Sequence, residues 1–229
     1  MRSIRKIISN DPLSGLFYDV YKSGSDSANT LYLIGSYGGR LAYFRPFLTG
    51  MLKNHYRIVY FQPVKAVLSV ENPHWLGRAI DQVSQYIDDD MSKHRNSNFA
   101  LAGVSLGSYI GLNVLQSVKF DKFLVVAGGA PLRGVFRSSF MFRSSRTKLK
   151  KQKSGLKEVD HHWERHDTAF SRLDLKATSI LLLNSKRDEV IKPRELTKFL
   201  NELGKTGAII DSRLNDNFPH VVQALSINW

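Results

Sequence analysis

The chain has 229 residues, of which 42% are hydrophobic and 23% charged, enough apolar material for one sizeable core. This composition excludes a disordered or low-complexity chain, and the absence of cysteine excludes a disulfide scaffold, a thiolate zinc site and a cysteine nucleophile. Charge is uneven: Lys and Arg number 33 against 20 acids, for a net +13, and ten of the basic residues lie between Lys122 and Lys157 with no acid among them. The remainder carries only +3, so the basicity belongs to one segment and is not a nucleic-acid signature of the whole fold. The N-terminal stretch is basic but lacks the apolar core of a secretory signal. No run of roughly 18 apolar residues occurs, so a cytoplasmic chain without a membrane span is expected.

Short apolar runs alternate with helical patterns, which is the texture of an α/β sheet. Strands are expected at 31–34, 56–61, 99–102, 123–127, 179–183 and 207–210. Their near-continuous hydrophobicity points to a mostly parallel sheet covered by helices on both faces. A helix is expected from Asn72-Pro73, a cap followed by proline at the first helical position, with Leu76, Ala79, Ile80, Val83 and Ile87 on one face. Further helices are expected over 106–118 and 193–203, the latter ended by Gly204, and a short closing helix over 221–227. The segment 131–174 breaks the rhythm with some forty residues rich in Arg, Lys, Ser and Phe. Irregular connections of that length are functional lids or disordered excursions, and this one reads as a cap inserted into a single domain spanning 1–229.

The most informative residues are Gly103-Val104-Ser105-Leu106-Gly107, between a strand and a helix. This is the pattern of a strained turn that exposes a nucleophilic hydroxyl, with glycines where side chains would collide with neighbouring elements. A serine needs a base to take its proton and an acid to orient that base. His220 lies in a polar loop after the last strand, where a base can reach the C-terminal edge of the sheet. His55 and His94 fall on the opposite edge, and His74 at a solvent-facing helix start. Asp188, in the loop after 179–183, is the candidate acid; adjacent Glu189 would point away, and Asp211 and Asp216 are its rivals.

The order Ser105, Asp188, His220, the glycine-flanked turn and Asp188-x-Val190-x-x-Pro193 after a strand resemble the α/β-hydrolase superfamily. The resemblance covers most of the chain and implies a serine hydrolase acting on an ester, thioester or related acyl bond of a small-molecule substrate. It implies an oxyanion hole from the backbone N–H of Leu106 and of Tyr37 in Gly35-Ser36-Tyr37-Gly38-Gly39, and no cofactor or metal. It also implies a first helix near Phe44-Arg45-Pro46-Phe47-Leu48. The chain departs from the family pattern at Gly35, where a histidine is usual, and at Phe61-Gln62-Pro63-Val64, where a glycine-rich turn is usual. Pro219-His220 replaces Gly-His.

Other readings compete. Gly35 to Gly39 follows a strand but lacks the spacing of a phosphate-cradling loop. His161, His162 and His166 in the cap have no His-Glu-x-x-His, and a polar helix with His162 and His166 on one face is expected there. The basic run 133–157, interleaved with Phe136, Phe140, Met141 and Phe142, reads as a solvated loop or as a patch for an anionic membrane or anionic substrate, the protein then being peripheral at a membrane. The rival class is a catalytically idle scaffold whose basic segment binds an anionic membrane, nucleic acid or an acidic protein, nucleic acid being disfavoured.

Overall fold

The computed structural model describes residues 5–7, 17–23, 29–38, 44–95, 97–129, 131–151, 155–168 and 173–215. The apolar runs form strands β1 (Arg5–Ile7), β2 (Phe17–Ser23), β3 (Asn29–Ile34), β4 (Arg57–Pro63), β5 (Asn98–Val104), β6 (Lys122–Val126), β7 (Ser179–Ser185) and β8 (Ile209–Asn215). They join in one sheet of order β1-β2-β4-β3-β5-β6-β7-β8. From β4 through β8 every neighbouring pair is parallel. β1 and β2 add an antiparallel edge that was not among the expected elements, because Asp19 and Lys22 interrupt the apolar run of β2. The helices are α1 (Arg45–Lys53), α2 (Trp75–Lys93), α3 (Leu106–Val114), α4 (Leu132–Ser138), α5 (Arg143–Lys150), α6 (Gly155–Thr168) and α7 (Pro193–Gly204).

Side chains along a strand alternate between faces, and the two cores follow that period. Tyr32, Ile34, Val59 and Phe61 pack in one cluster with residues of α2, α3 and α7. Leu31, Leu33, Ile58 and Tyr60 pack on the other face with Phe44, Phe47 and Leu48 beside and in α1. The last strand, expected at 207–210, starts at Ile209 and runs on to Asn215, and two helix ends also differ from expectation. α2 starts at Trp75, two residues late, after a turn in which the Trp75 N–H donates to the Asn72 carbonyl at 3.0 Å. α3 stops at Val114, where i→i+3 bonds tighten the chain through Ser117. The expected closing helix over 221–227 lies outside the described residues.

The segment after β6 is not the irregular connection or solvated loop that its composition suggests. It folds into α4, a one-turn 3₁₀ helix at Phe140–Phe142, α5 and α6. Its apolar residues at helical spacing are buried: Val135, Phe136, Phe142, Leu149, Val159 and Trp163 all belong to the cluster that holds α2 and α3. Trp163 is wholly buried and its indole N–H donates to the Pro73 carbonyl at 3.2 Å. Phe136 meets its ring edge-on at 5.2 Å.

Candidate active site

β5 ends at Val104 and α3 begins at Leu106, so a single residue, Ser105, makes the whole turn. Its φ of 54° and ψ of −114° lie where a residue with a Cβ is strained, at a cost of about 1–3 kcal/mol. The surroundings impose this conformation. The Ser105 N–H donates to the Val126 carbonyl at 2.8 Å, and its carbonyl accepts from Ser108 at 3.0 Å. The two glycines of the motif make the close approach feasible. A Cβ on Gly107 would lie 2.0 Å from the Ile34 carbonyl oxygen, and one on Gly103 would lie 2.5 Å from the backbone of Gly107 and Ser108. The reason the sequence demands glycine there is thus contact between backbones.

Ser105 opens on a small, mainly apolar pocket of about 60 Å³ at the C-terminal edge of the sheet. Tyr37 and Leu106 border it, as do Leu132, Met141, Val190 and Ile191. Leu106 is the first residue of α3, so its N–H has no acceptor within the helix and lies at the positive end of the helix dipole. On the far side, β6 ends in a second strained turn, Ala127 at φ 46° and Gly129 at φ 93°. Asn184 braces that turn: its side chain accepts from the Gly128 N–H at 3.0 Å and donates to the Gly128 carbonyl at 3.1 Å.

Asp188 follows β7 at the same edge and is buried. One carboxylate oxygen, Oδ1, accepts the N–H groups of Val190 at 2.8 Å and Ile191 at 2.7 Å, two residues that themselves line the pocket. Glu189 is half-buried beside it. Of the rivals, Asp211 pairs with Leu181 within the edge strand β8, where it is exposed and binds Arg213, and Asp216 lies outside the described residues. His220 also lies outside them. Among the described residues no histidine lines the pocket. His55 and His74 are exposed, and His94 binds the Asp90 carbonyl near the start of β5.

The histidines of α6 do not converge on Ser105 either. His162 stands 6.4 Å from His74, ring to ring, and His166 lies against Gly77 of α2. Burial and the charge of Arg165 hold the imidazoles of His162 and His166 below their ordinary range. Among the described residues no group of three or more His, Asp or Glu could hold a metal. A larger open groove of about 660 Å³ lies between α4 and α7, but Ser105 is not on it. Most of its charged side chains are paired, Arg133 with Asp167, Arg137 with Asp160, Lys198 with Glu195 and Glu202 with Lys205.

One constellation went unread in the sequence. Tyr109, one turn after Ser105 on α3, donates its hydroxyl to Asp167 Oδ1 at 2.7 Å. The same carboxylate accepts the Leu132 N–H at 2.7 Å and the Arg133 N–H at 3.0 Å, capping α4 from the end of α6. Burial holds the Asp167 carboxyl above its ordinary value, against the opposing pull of these donors and of Arg133. Burial and then the Asp167 charge push the Tyr109 phenol well up. The i, i+4 spacing of Ser105 and Tyr109 was the available signal.

No family model and no curated protein matches the chain. Solved structures do. Acylaminoacyl peptidase of Pyrococcus horikoshii is 12% identical with a TM-score of 0.68, over 96% of this chain and 37% of the other. An esterase of Pyrococcus furiosus is 15% identical with a TM-score of 0.66, over 98% of this chain and 86% of the other. An acetyl xylan esterase from Paenibacillus sp. R4 is 13% identical with a TM-score of 0.68, over 95% and 83%. The chain therefore spans little more than a third of the peptidase but most of either esterase. With six parallel strands, two antiparallel strands at one edge and a strained serine turn after β5, the chain has the α/β-hydrolase fold.

Proposed function

We propose that the protein is a serine hydrolase that cleaves an ester, thioester or related acyl bond. The observation that carries this reading is the backbone of Ser105: a non-glycine residue held at positive φ between a strand and a helix, opening on an apolar pocket. Strain of this kind persists where the surroundings over-determine it, and here it lifts the hydroxyl out of the strand into the pocket.

In this reading Ser105 Oγ attacks the acyl carbon while His220 takes its proton. The N–H groups of Tyr37 and Leu106 stabilise the oxyanion, each worth about 3–4 kcal/mol in the transition state. The tetrahedral species expels the leaving alcohol or thiol, which receives the proton from His220, and a water then releases the acyl group by the same steps. Asp188 orients the imidazole and stabilises its charged form. Chain length is compatible with this role for His220. β8 is three strands from β5, about 14 Å, and the five residues from Asn215 to His220 span up to about 17 Å. The small, mainly apolar pocket suits a short acyl group. Two of the structural neighbours are named esterases, which supports the reaction class.

A fluorophosphonate probe should label the wild-type protein at Ser105, and Ser105→Ala should lose both the label and hydrolysis of short p-nitrophenyl esters without a change in melting temperature. A Ser105→Ala protein that still turns over the ester overturns the assignment. A wild-type protein that neither labels nor hydrolyses favours the idle scaffold.

A further inference from the structure

Among the described residues only four large apolar side chains are exposed, and two of them, Phe140 at 64% and Met141 at 43%, are adjacent. Single exposed apolar residues are ordinary on protein surfaces. This pair differs because it is rigidly presented. It sits on the 3₁₀ turn between α4 and α5, capped by the Ser139 hydroxyl, which accepts the Met141 N–H at 3.3 Å. Arg146 reaches under the turn and donates to the carbonyls of Phe136 at 2.5 Å and Ser139 at 2.7 Å. The next residue, Phe142, is buried against Phe136 at 5.3 Å, so the turn is anchored from below.

The flanks are cationic. Arg143 opens α5, and Lys150, its last residue, and Lys151, its C-cap, follow about two turns later at i+7 and i+8, all three exposed on one side of the helix away from buried Leu149. Among the described residues these three cations form no ion pair. The acids that approach the region are already engaged, Asp160 by Arg137 at 2.5 Å and Glu71 by Lys148. An apolar tip with unpaired cations behind it is complementary to an anionic bilayer, where the tip enters the acyl boundary and the cations meet phosphate. A nucleic acid would need a groove that follows its backbone and faces for successive bases; this surface is a projecting turn with one aromatic ring. No helix among the described residues is long and apolar enough to cross a membrane, so contact at this surface is peripheral.

We infer that the Phe140–Met141 turn and the basic side of α5 form a docking surface for an anionic membrane. Met141 also borders the pocket that holds Ser105, so docking brings the pocket mouth to headgroup level. The surface requires no catalysis and stands apart from the proposed reaction.

The test is co-sedimentation of the full chain with vesicles of phosphatidylcholine and of phosphatidylcholine with an equal part of phosphatidylglycerol. Wild type should sediment with the anionic vesicles only, and less as NaCl rises from about 0.05 to 0.5 M, where the screening length shrinks severalfold. Phe140→Ser should weaken binding about tenfold at unchanged charge. Combined Arg143→Glu, Lys150→Glu and Lys151→Glu should abolish it, each cation being worth about fivefold. Melting temperature verifies folding; should the triple variant fail to fold, Phe140→Ser and the salt series decide. Ser105→Ala should bind as wild type does, so docking and hydrolysis stand or fall separately. Equal sedimentation with both vesicle types overturns the inference. So does a Phe140→Ser protein that binds anionic vesicles undiminished, or a wild type that prefers a single-stranded oligonucleotide to them.

Discussion

The turn at Ser105 is bounded by backbone on both sides, and that makes its neighbours sensitive to single atoms. Gly107→Ala puts a methyl 2.0 Å from a strand carbonyl that the sheet holds fixed. It should cost about 3 kcal/mol or more, the upper range for overpacking. Gly50, in α1, has nothing within 4 Å of the equivalent position, and Gly50→Ala should stabilise by about 0.5–1 kcal/mol through helix propensity. Urea unfolding of the two variants reads both signs, and a neutral Gly107→Ala contradicts the packing. In the proposed mechanism Asp188 both orients the base and holds its own loop. Oδ1 takes the two loop N–H groups, which an asparagine oxygen can also accept. Asp188→Asn should therefore keep the loop and its stability while lowering kcat about 10⁴-fold, the effect of losing the charge and hydrogen-bond direction that orient the base. A drop of only a few fold would leave Asp188 as a loop residue and send the search for the acid elsewhere.

At the scale of elements, what was legible depended on whether the information was local. Five of the parallel strands were readable because both faces are covered and the runs are unbroken. β8 was legible only at Ile209 and Ile210, since Asp211, Ser212 and Arg213 break its pattern on an exposed edge, and β1, three residues long, and β2, interrupted by charge, were not legible. The apolar side of α2 was readable too, and it carries a further message: Asp90 falls three residues after Ile87 on the buried side. There it accepts both Arg57 terminal nitrogens at 2.7 Å and the Tyr32 hydroxyl at 2.9 Å, tying the last turns of α2 to the start of β4. A carboxylate on an apolar stripe announces a buried partner but does not name it. The Asp167 clamp was illegible for the same reason, since Tyr109 is 58 positions away. Its pH behaviour is testable. Because burial raises the folded-state carboxyl above 3.8, the native state binds the proton more tightly than the unfolded chain. Its stabilisation is complete below that value and is lost as pH rises through the higher folded value. The stability difference between wild type and Asp167→Asn should therefore shrink as pH is raised from about 4 towards neutrality. Urea midpoints measured across that range decide it; a difference that grows with pH would mean that the Tyr109 and α4 hydrogen bonds outweigh burial.

For the molecule as a whole, the segment between β6 and β7 is where composition and architecture part. Its lysines, arginines and serines suggested a solvated excursion, because they dominate the count, yet helix packing needs only every third or fourth residue to be apolar. Phe136, Phe142, Leu149, Val159 and Trp163 satisfy that spacing and merge with the core of α2 and α3. The pocket walls come largely from this segment and from the loop after Asp188, which explains why Ser105 could be found from its motif while its surroundings could not. Shared burial has a consequence for unfolding. Trp163 bridges α6 to Pro73 and to Phe136, so the segment cannot open without exposing the common core. In a variant carrying Trp75→Phe and Trp229→Phe, fluorescence from Trp163 should melt at the same temperature as far-UV ellipticity, as one cooperative transition. Trp163→Ala should lower that temperature with a loss of about 3–5 kcal/mol, the range for emptying a large buried aromatic site. If the Trp163 signal melted well before the ellipticity, the segment would be a separable unit that opens against an intact sheet, and the pocket beside Ser105 would be gated by that opening.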